Sequence, residues 1–230
     1  MILHCLGSSS DGNCYLLKNN TECLVIENGI LFKEVKKALN YNIMQIVGTI
    51  VSHKHGDHHK YTHEYKTAGI PTFCPFESEE PKSVVRFGGF TIQCFPLIHD
   101  VSCYGFYIRH KEMGKCLFVT DTLCVPQVFK DFEVNHILAE CNYSDNLVDK
   151  NSANYEHKLR HHMSLKTCCE FIETNKTNAL RTVILCHLGL ETCEPKECVE
   201  EVQKIVGNRV CVDVARKGFE IELKESNCPF

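Results

Sequence analysis

The sequence "TIVSHKHGDHH", residues 49–59, places four histidines and one aspartate directly after a β-branched apolar run. The apolar residues at 46–52 predict a strand, which would carry the polar cluster to one edge of a sheet. Imidazole and carboxylate are the ligands that zinc and similar first-row metals prefer. The spacing H-x-H-x-D-H therefore predicts a metal site, the alternative being a solvated loop on which histidines collect by chance.

Later strands also end in polar side chains. His99 follows the strand 90–97, Asp121 ends "KCLFVTD", Glu140 ends "HILAE", and His187 lies within "TVILCHLG". Because strand ends at one edge of a sheet converge, these residues are expected to lie near the first cluster. The candidate metal ligands are His53, His55, Asp57, His58, His99, Asp121 and His187. His59 and His63 are expected on an exposed helix face, and no ligand role is assigned to His4, His110, His136 or His157.

Apolar periodicity and turn residues predict many short strands with helices between them. Strands are predicted at 2–6, 14–18, 22–26, 46–52, 71–74, 84–87, 90–97, 103–109, 115–121, 136–140, 182–187, 209–214 and 219–223. Helices are predicted at 30–40, from Asp57 to about Thr67, from a cap at Ser164 to about Asn175, and over Glu194–Val206. No repeat or Pro/Gly-rich linker divides the chain, so residues 1–230 are predicted to form a single α/β domain.

Composition restricts the classes of function. The formal net charge is −4 and the pI is near 6.3, which argues against a general nucleic-acid or membrane-surface binder but leaves room for a locally basic groove. No signal peptide and no apolar run of membrane-spanning length is recognisable, so a cytoplasmic protein is expected. The 16 cysteines form no C-x-x-C pair and mostly lie in apolar runs, which predicts buried structural thiols.

The segment "HKHGDH" (residues 53–58) resembles the H-x-H-x-D-H signature of the metallo-β-lactamase-fold hydrolases. "GSSSDGNCYLL" and "CLVIENG" are similar to the opening hairpin of its small bacterial YycJ-type members. "PLIHDVSCYGFYI", "FVTDTL" and "ILCHLG" resemble the later motifs, in the right order. The resemblance implies a four-layer αββα sandwich of two mixed β-sheets.

The same resemblance implies two divalent metal ions, zinc or manganese. It places His53, His55 and His99 on one ion, Asp57, His58 and His187 on the other, and Asp121 between both. Such a pair activates a bridging water and stabilises charge on the attacking and leaving oxygens. Because secreted β-lactamases of this fold tend to carry Cys where Asp121 lies, the carboxylate favours phosphodiesters over lactams. Where the family commonly has Asp, this chain has Glu27, which would orient a ligand by a hydrogen bond.

Two residues are expected to be catalytic, Asp57 and His162. "RHHMSLKTCCEFI" resembles the H-x-S segment of nuclease members, which implies that His162 hydrogen-bonds the scissile phosphate or protonates the leaving oxygen. The alternative is a surface histidine in a helix-capping loop. The basic residues around it either attract phosphates or form a solvated helix face. They are Lys150, Lys158, Arg160, His161 and Lys166.

The interval between Asp121 and His187 is too short for the long inserted domain of large RNA-processing relatives. A nucleotide, single-stranded nucleic acid or DNA end is therefore expected as substrate, rather than a folded RNA. A cyclic-nucleotide phosphodiesterase and a thioester or lactone hydrolase on the same metal site remain alternatives. The complete ligand set argues against a module that only binds. The oligomeric state is open, a homodimer included.

Overall fold

The computed structural model describes residues 1–152, 155–189 and 191–226, which form two mixed β-sheets. The first sheet has the order β13-β1-β2-β3-β4-β5, and its strands are β1 (Ile2–Gly7), β2 (Cys14–Lys18), β3 (Cys23–Ile26), β4 (Ile46–Ile50), β5 (Thr72–Phe73) and β13 (Glu220–Glu222). The second has the order β12-β11-β10-β9-β8-β7-β6, and its strands are β6 (Val84–Phe87), β7 (Phe90–Leu97), β8 (Cys103–His110), β9 (Gly114–Val119), β10 (His136–Glu140), β11 (Thr182–Cys186) and β12 (Cys211–Val214).

Helices cover the outer faces of both sheets. They are α1 (Phe32–Ala38), α2 (Gly56–His59), α3 (Thr62–Thr67), α4 (Tyr155–His161), α5 (Leu165–Asn175) and α6 (Pro195–Val206), with 3₁₀ turns at Ile43–Gln45, Pro75–Glu77 and Lys130–Phe132. In the part of the chain that the structure describes, none of the helices has the length and apolar character needed to cross a membrane.

Side chains alternate between the two faces of each strand, and this alternation builds the layers. Tyr15 and Leu17 of β2 point into the core between the sheets, where Tyr15 packs edge-on against Phe118 of β9 at 5.5 Å. The intervening Leu16 points outward and packs with Phe32 and the other residues beneath α1 and α3. A third apolar cluster joins the second sheet to α5 and α6. The predicted αββα sandwich of two mixed sheets is confirmed.

Parallel pairing brings the ends of several strands to one edge. Strand β3 runs parallel to β4, and β9, β10 and β11 run parallel to one another. Their carboxyl ends lead to Glu27, the 53–58 segment, Asp121, Glu140 and His187. The fold thus gathers residues far apart in sequence at a single edge of the sandwich.

The helix predicted from Asp57 to about Thr67 is wrong in one respect, because the structure contains two short helices, α2 and α3. A continuous helix needs the N–H of Tyr61 to donate to the carbonyl of Asp57. That carbonyl instead accepts from Asn13 N–H at 2.7 Å, and Tyr61 N–H donates to Asn28 at 3.0 Å. Contacts with the first loop therefore break the helix at a point that local sequence does not mark.

The other boundaries agree with the predicted ones to within about two residues, the usual scatter of element ends. Ser164 caps α5 as predicted, because its hydroxyl accepts a hydrogen bond from Thr167 N–H at 3.1 Å. Helix α4, just before this cap, was not assigned from sequence. It ends at His161 and leads directly to His162.

Candidate metal centre

Three strands end in residues with left-handed backbone conformation. Glu27 follows β3 with φ 66°, Asp121 lies two residues beyond β9 with φ 46°, and His187 follows β11 with φ 51°. Such conformations are uncommon for residues other than glycine and cost roughly 1–3 kcal/mol each. All three side chains are almost completely buried. Strain concentrated at three neighbouring strand ends is typical of a functional site.

The first group of candidate ligands contains His53, His55 and His99. Their ligand atoms all lie within 4.8 Å of one another. His99 Nε2 is 3.2 Å from His55 Nδ1, and the His53 ring lies 4.7 Å and 5.0 Å from the other two rings. The structure therefore brings together the three histidines that the resemblance assigned to one metal ion.

The second group contains Asp57, His58 and His187. Asp57 Oδ2 is 3.2 Å from His58 Nε2 and 3.4 Å from His187 Nε2. Asp121 lies between the two groups, since its Oδ2 is 2.7 Å from His58 Nε2 and 4.0 Å from His53 Nε2. All seven predicted ligands thus meet in one cluster, with Asp121 at the boundary between the two sets.

These separations fit a metal ion. Around a tetrahedral zinc with bonds of about 2.0–2.1 Å, neighbouring ligand atoms are about 3.3 Å apart. The spacing of 3.2 Å between His55 and His99, and the spacings of 3.2 and 3.4 Å around Asp57, match this edge length. The buried Nε2 atoms of His53 and His187 also have no hydrogen-bond partner. A pair of divalent metal ions would occupy both groups and satisfy these atoms.

The other ring nitrogen of three candidate ligands faces a fixed polar group. His99 Nδ1–H donates to the carbonyl of His161 at 3.0 Å, and His187 Nδ1–H donates to Glu140 at 3.0 Å. The Ser52 hydroxyl lies 2.8 Å from His53 Nδ1. Metal-binding histidines usually have such a partner, because it fixes the tautomer and turns the free nitrogen to the metal.

Glu27 lies beside the corresponding nitrogen of His58, at ion-pair distance and without a hydrogen bond. Its Oε2 lies 3.5 Å from His58 Nδ1, and both side chains are completely buried. The backbone N–H of Ser52 donates to both Glu27 oxygens at 3.3 Å, which holds the carboxylate in place. The longer side chain of Glu, where relatives commonly have Asp, therefore still reaches the imidazole of a candidate ligand.

Burial and neighbouring charges shift the pKa values of several residues in the centre. Burial and the nearby His58 hold the pKa of His53 well below its usual value. Burial raises the pKa of Asp121, but His187 and His58 outweigh burial and keep it well below its usual range. Burial also lowers the pKa of His58, yet the carboxylates of Asp121 and Glu27 raise it well above 6.5. Positive charge would therefore stabilise the buried carboxylates of the centre, and divalent cations would supply it.

His162 lies beside this cluster. Its Nδ1 is 2.7 Å from Glu140 Oε1 and 3.1 Å from Asp121 Oδ1, and its ring stacks on His187 at 5.5 Å. Burial lowers the pKa of His162, but Glu140 and Asp121 raise it to about 10. The side chain is 13% exposed, against 22% for Asp57. Both predicted catalytic residues are therefore partly exposed, and we call the side of the centre on which they lie its open side.

Sequence reasoning missed several residues of the site. Asn13 Nδ2 lies 3.0 Å from His58 Nε2 and 3.3 Å from Asp57 Oδ2. Asp100 Oδ1 lies 3.1 Å from His99 Nε2, and its other oxygen lies 3.7 Å from His157. The only sequence signals are that Asn13 closes a turn-rich loop and that Asp100 follows a candidate ligand.

The basic run around His162 is divided by the structure. Arg160 pairs with Glu156 on an exposed face of α4 at 2.7 Å, so this side of the helix is solvated. Lys158 faces the molecule and donates to the Thr192 hydroxyl at 3.1 Å. The His161 ring lies 5.7 Å from His99, next to the first group. Only part of the run therefore borders the centre.

Solved structures share this architecture. YhfI of Bacillus subtilis, a metallo-β-lactamase fold protein, superposes with a TM-score of 0.73 at 17% identity, covering 96% of this chain and 99% of that one. The short form of human tRNase Z gives 0.63 at 14% identity, with 97% and 99% covered. An isothiocyanate hydrolase from Delia radicum gut bacteria gives 0.65 at 12% identity, with 97% and 100% covered. No protein-family model and no curated protein sequence matches the chain.

Proposed function

We propose that this chain, which has the metallo-β-lactamase fold, is a dinuclear-metal-dependent hydrolase of phosphodiesters. Nucleotides, single-stranded nucleic acid or DNA ends would be its substrates. The observation that supports this proposal is the convergence of two three-residue ligand groups on Asp121, with His162 at their open side. When bound, two divalent ions supply a water nucleophile at neutral pH and positive charge for the phosphoryl oxygens.

The candidate residues would have different roles, metal binding and proton donation. His53, His55 and His99 would hold one ion, Asp57, His58 and His187 the other, and Asp121 both. Glu140 holds His162 through Nδ1 at 2.7 Å, which leaves Nε2 as the nitrogen that can donate to a substrate. A positioned imidazole of this kind can protonate the leaving oxygen of a phosphodiester.

The fold alone does not select the substrate, because a tRNase and an isothiocyanate hydrolase are both similar in structure. Phosphodiesters are favoured by the carboxylate at position 121 and by His162. A thioester or lactone hydrolase would need neither His162 nor the basic side chains around it. The cytoplasm is the proposed compartment. The fifteen cysteines within the described residues are all free thiols, which suits a reducing environment.

The test is His162→Ala, assayed on nucleotide phosphodiesters and on bis(p-nitrophenyl) phosphate. We expect kcat on the nucleotide substrates to fall by roughly 10²–10⁴-fold, the usual contribution of a positioned acid–base group. The loss should be smaller for the nitrophenyl ester, whose leaving group needs no proton. Metal content should stay unchanged, because His162 is outside both ligand groups.

His63→Ala is the matched control, since His63 lies exposed on α3. Unchanged kinetics of His162→Ala on every phosphodiester would refute the role of this imidazole. Rapid hydrolysis of a thioester or lactone by the wild-type protein, without turnover of any phosphodiester, would favour the alternative hydrolase.

A further inference from the structure

Behind the candidate metal centre, four cysteines from separate segments meet in the core between the second sheet and its helices. Cys141 follows β10, Cys168 lies in α5, Cys193 lies in the loop after β11, and Cys198 lies in α6. Three of these side chains are completely buried, and Cys193 is 6% exposed. The sulfurs of Cys141, Cys193 and Cys198 all lie within 4.8 Å of one another, and Cys168 belongs to the same buried cluster.

We propose that Cys141, Cys168, Cys193 and Cys198 bind a third metal ion, zinc, in a closed structural site. With zinc–sulfur bonds of about 2.3 Å, the sulfurs of a tetrahedral site are about 3.8 Å apart. Cys193 Sγ and Cys198 Sγ are 3.6 Å apart, close to that edge length. Four sulfurs and no oxygen or nitrogen ligand form the set that zinc occupies in structural sites.

The competing interpretation is a group of inert buried thiols, as the sequence predicted. In that state the Cys193 thiol donates to the Cys141 carbonyl at 3.2 Å, and no metal is needed. The missing C-x-x-C pair does not decide between the two, because Cys141 and Cys168 come from segments distant from the Cys193 and Cys198 pair and need no local spacing.

Bound thiolates would lose their protons, so four of them and one zinc ion carry a net charge of −2. Two features offset this charge. Cys198 lies in the first turns of α6, whose N-terminal end carries partial positive charge. Lys158 reaches Thr192, the neighbour of Cys193, with its Nζ 3.1 Å from the hydroxyl. The first turn of α6 also carries Glu197, so the helix end and Lys158 offset only part of this charge.

A metal ion here would join two segments next to His187, the one that follows β10 and the loop after β11. Cys141 lies directly between Glu140, which accepts from His187, and Asn142. The loop that carries Cys193 is tied to Asn142, whose carbonyl accepts from Gly189 N–H at 2.9 Å and from the Thr192 hydroxyl at 3.1 Å. The cysteine site would thus fix the loop after His187 without touching substrate.

Cobalt substitution tests the proposal on the whole chain. The candidate catalytic groups contain no sulfur, so thiolate-to-cobalt charge-transfer absorption in the near ultraviolet reports binding to cysteines and not to those groups. We expect cobalt-loaded wild-type protein to show this absorption, at one thiolate-bound ion per chain. Its absence from fully loaded protein would overturn the proposal.

Variants locate the ion. Cys198→Ser should lose the charge-transfer band and one zinc per chain, whereas Cys116→Ser, a completely buried cysteine of the core between the sheets, should keep both. A band of unchanged intensity in Cys198→Ser would also overturn the proposal. If that variant does not fold, the wild-type spectrum still decides. The band is independent of phosphodiesterase activity, so failure of the proposed function and failure of this site are distinguishable.

Discussion

Glu140 connects two histidines of the site, His162 and His187, to the backbone. Its Oε1 accepts from His162 Nδ1 at 2.7 Å and from His187 Nδ1 at 3.0 Å. Its Oε2 accepts from the backbone N–H groups of Thr122 at 3.1 Å and Met163 at 3.2 Å. The side chain is completely buried. A carboxylate is required because all four neighbours donate to it.

Glu140→Gln cannot satisfy all four donors. If the amide oxygen faces the backbone, the NH₂ group faces His187, and His187 Nδ1 must accept a hydrogen bond from it. The ring proton of His187 then moves to Nε2, the nitrogen that is needed to bind a metal. Loss of such a carboxylate partner typically lowers metal affinity 10–100-fold, or about 1.4–2.7 kcal/mol. The opposite orientation leaves two buried N–H groups unpaired, at roughly 1–3 kcal/mol each. We therefore expect weaker metal binding in a folded protein.

The assay is the dissociation constant of the weaker manganese ion, measured by competition with a chelator, because manganese prefers carboxylate and imidazole to thiolate. Glu22→Gln is the matched control, since Glu22 also accepts from a histidine, His110 at 2.9 Å, and from a backbone N–H, Gly89 at 2.7 Å. Wild-type manganese affinity in Glu140→Gln would refute the tautomer argument.

Two further perturbations follow from packing and burial. A Cβ at Gly29 would overlap the Asp57 carbonyl oxygen, so Gly29→Ala should displace Asp57 and lower turnover by about 100-fold. Gly56→Ala, whose Cβ would have nothing within 4 Å, should keep the wild-type rate, and equal rates of the two variants would contradict this. Burial lowers the pKa of His136 to about 4, so the unfolded chain binds a proton at a higher pH than the folded protein does. The free energy of unfolding should therefore be highest above pH 6.5 and fall by roughly 2 kcal/mol by pH 5. Urea unfolding of His136→Gln should show a flatter pH dependence, and parallel curves would contradict it.

Local patterns predicted most of the fold. Alternation along β2, with Tyr15 and Leu17 on one face and Leu16 on the other, follows directly from the two-residue period of a strand. The cap at Ser164 is equally local, since its hydroxyl and the donor, the backbone N–H of Thr167, are three residues apart. Such features need no knowledge of the rest of the chain.

Features that depend on distant segments were not predictable in this way. The break between α2 and α3 arises because Asn13 competes for the carbonyl of Asp57, 44 residues away. Asp100 enters the site only because the turn between β7 and β8 places it beside His99 and His157. The ligand groups themselves came from strand ends and from a family resemblance, and their role in binding metal stays a prediction.

The central claim is that seven residues form a two-metal centre, and anomalous diffraction at the zinc absorption edge tests it most directly. Crystals of zinc-loaded protein should show one peak among His53, His55 and His99, and a second among Asp57, His58 and His187, with the carboxylate of Asp121 next to both. A single peak at this edge of the sandwich, or none, from crystals grown in excess zinc would contradict the claim.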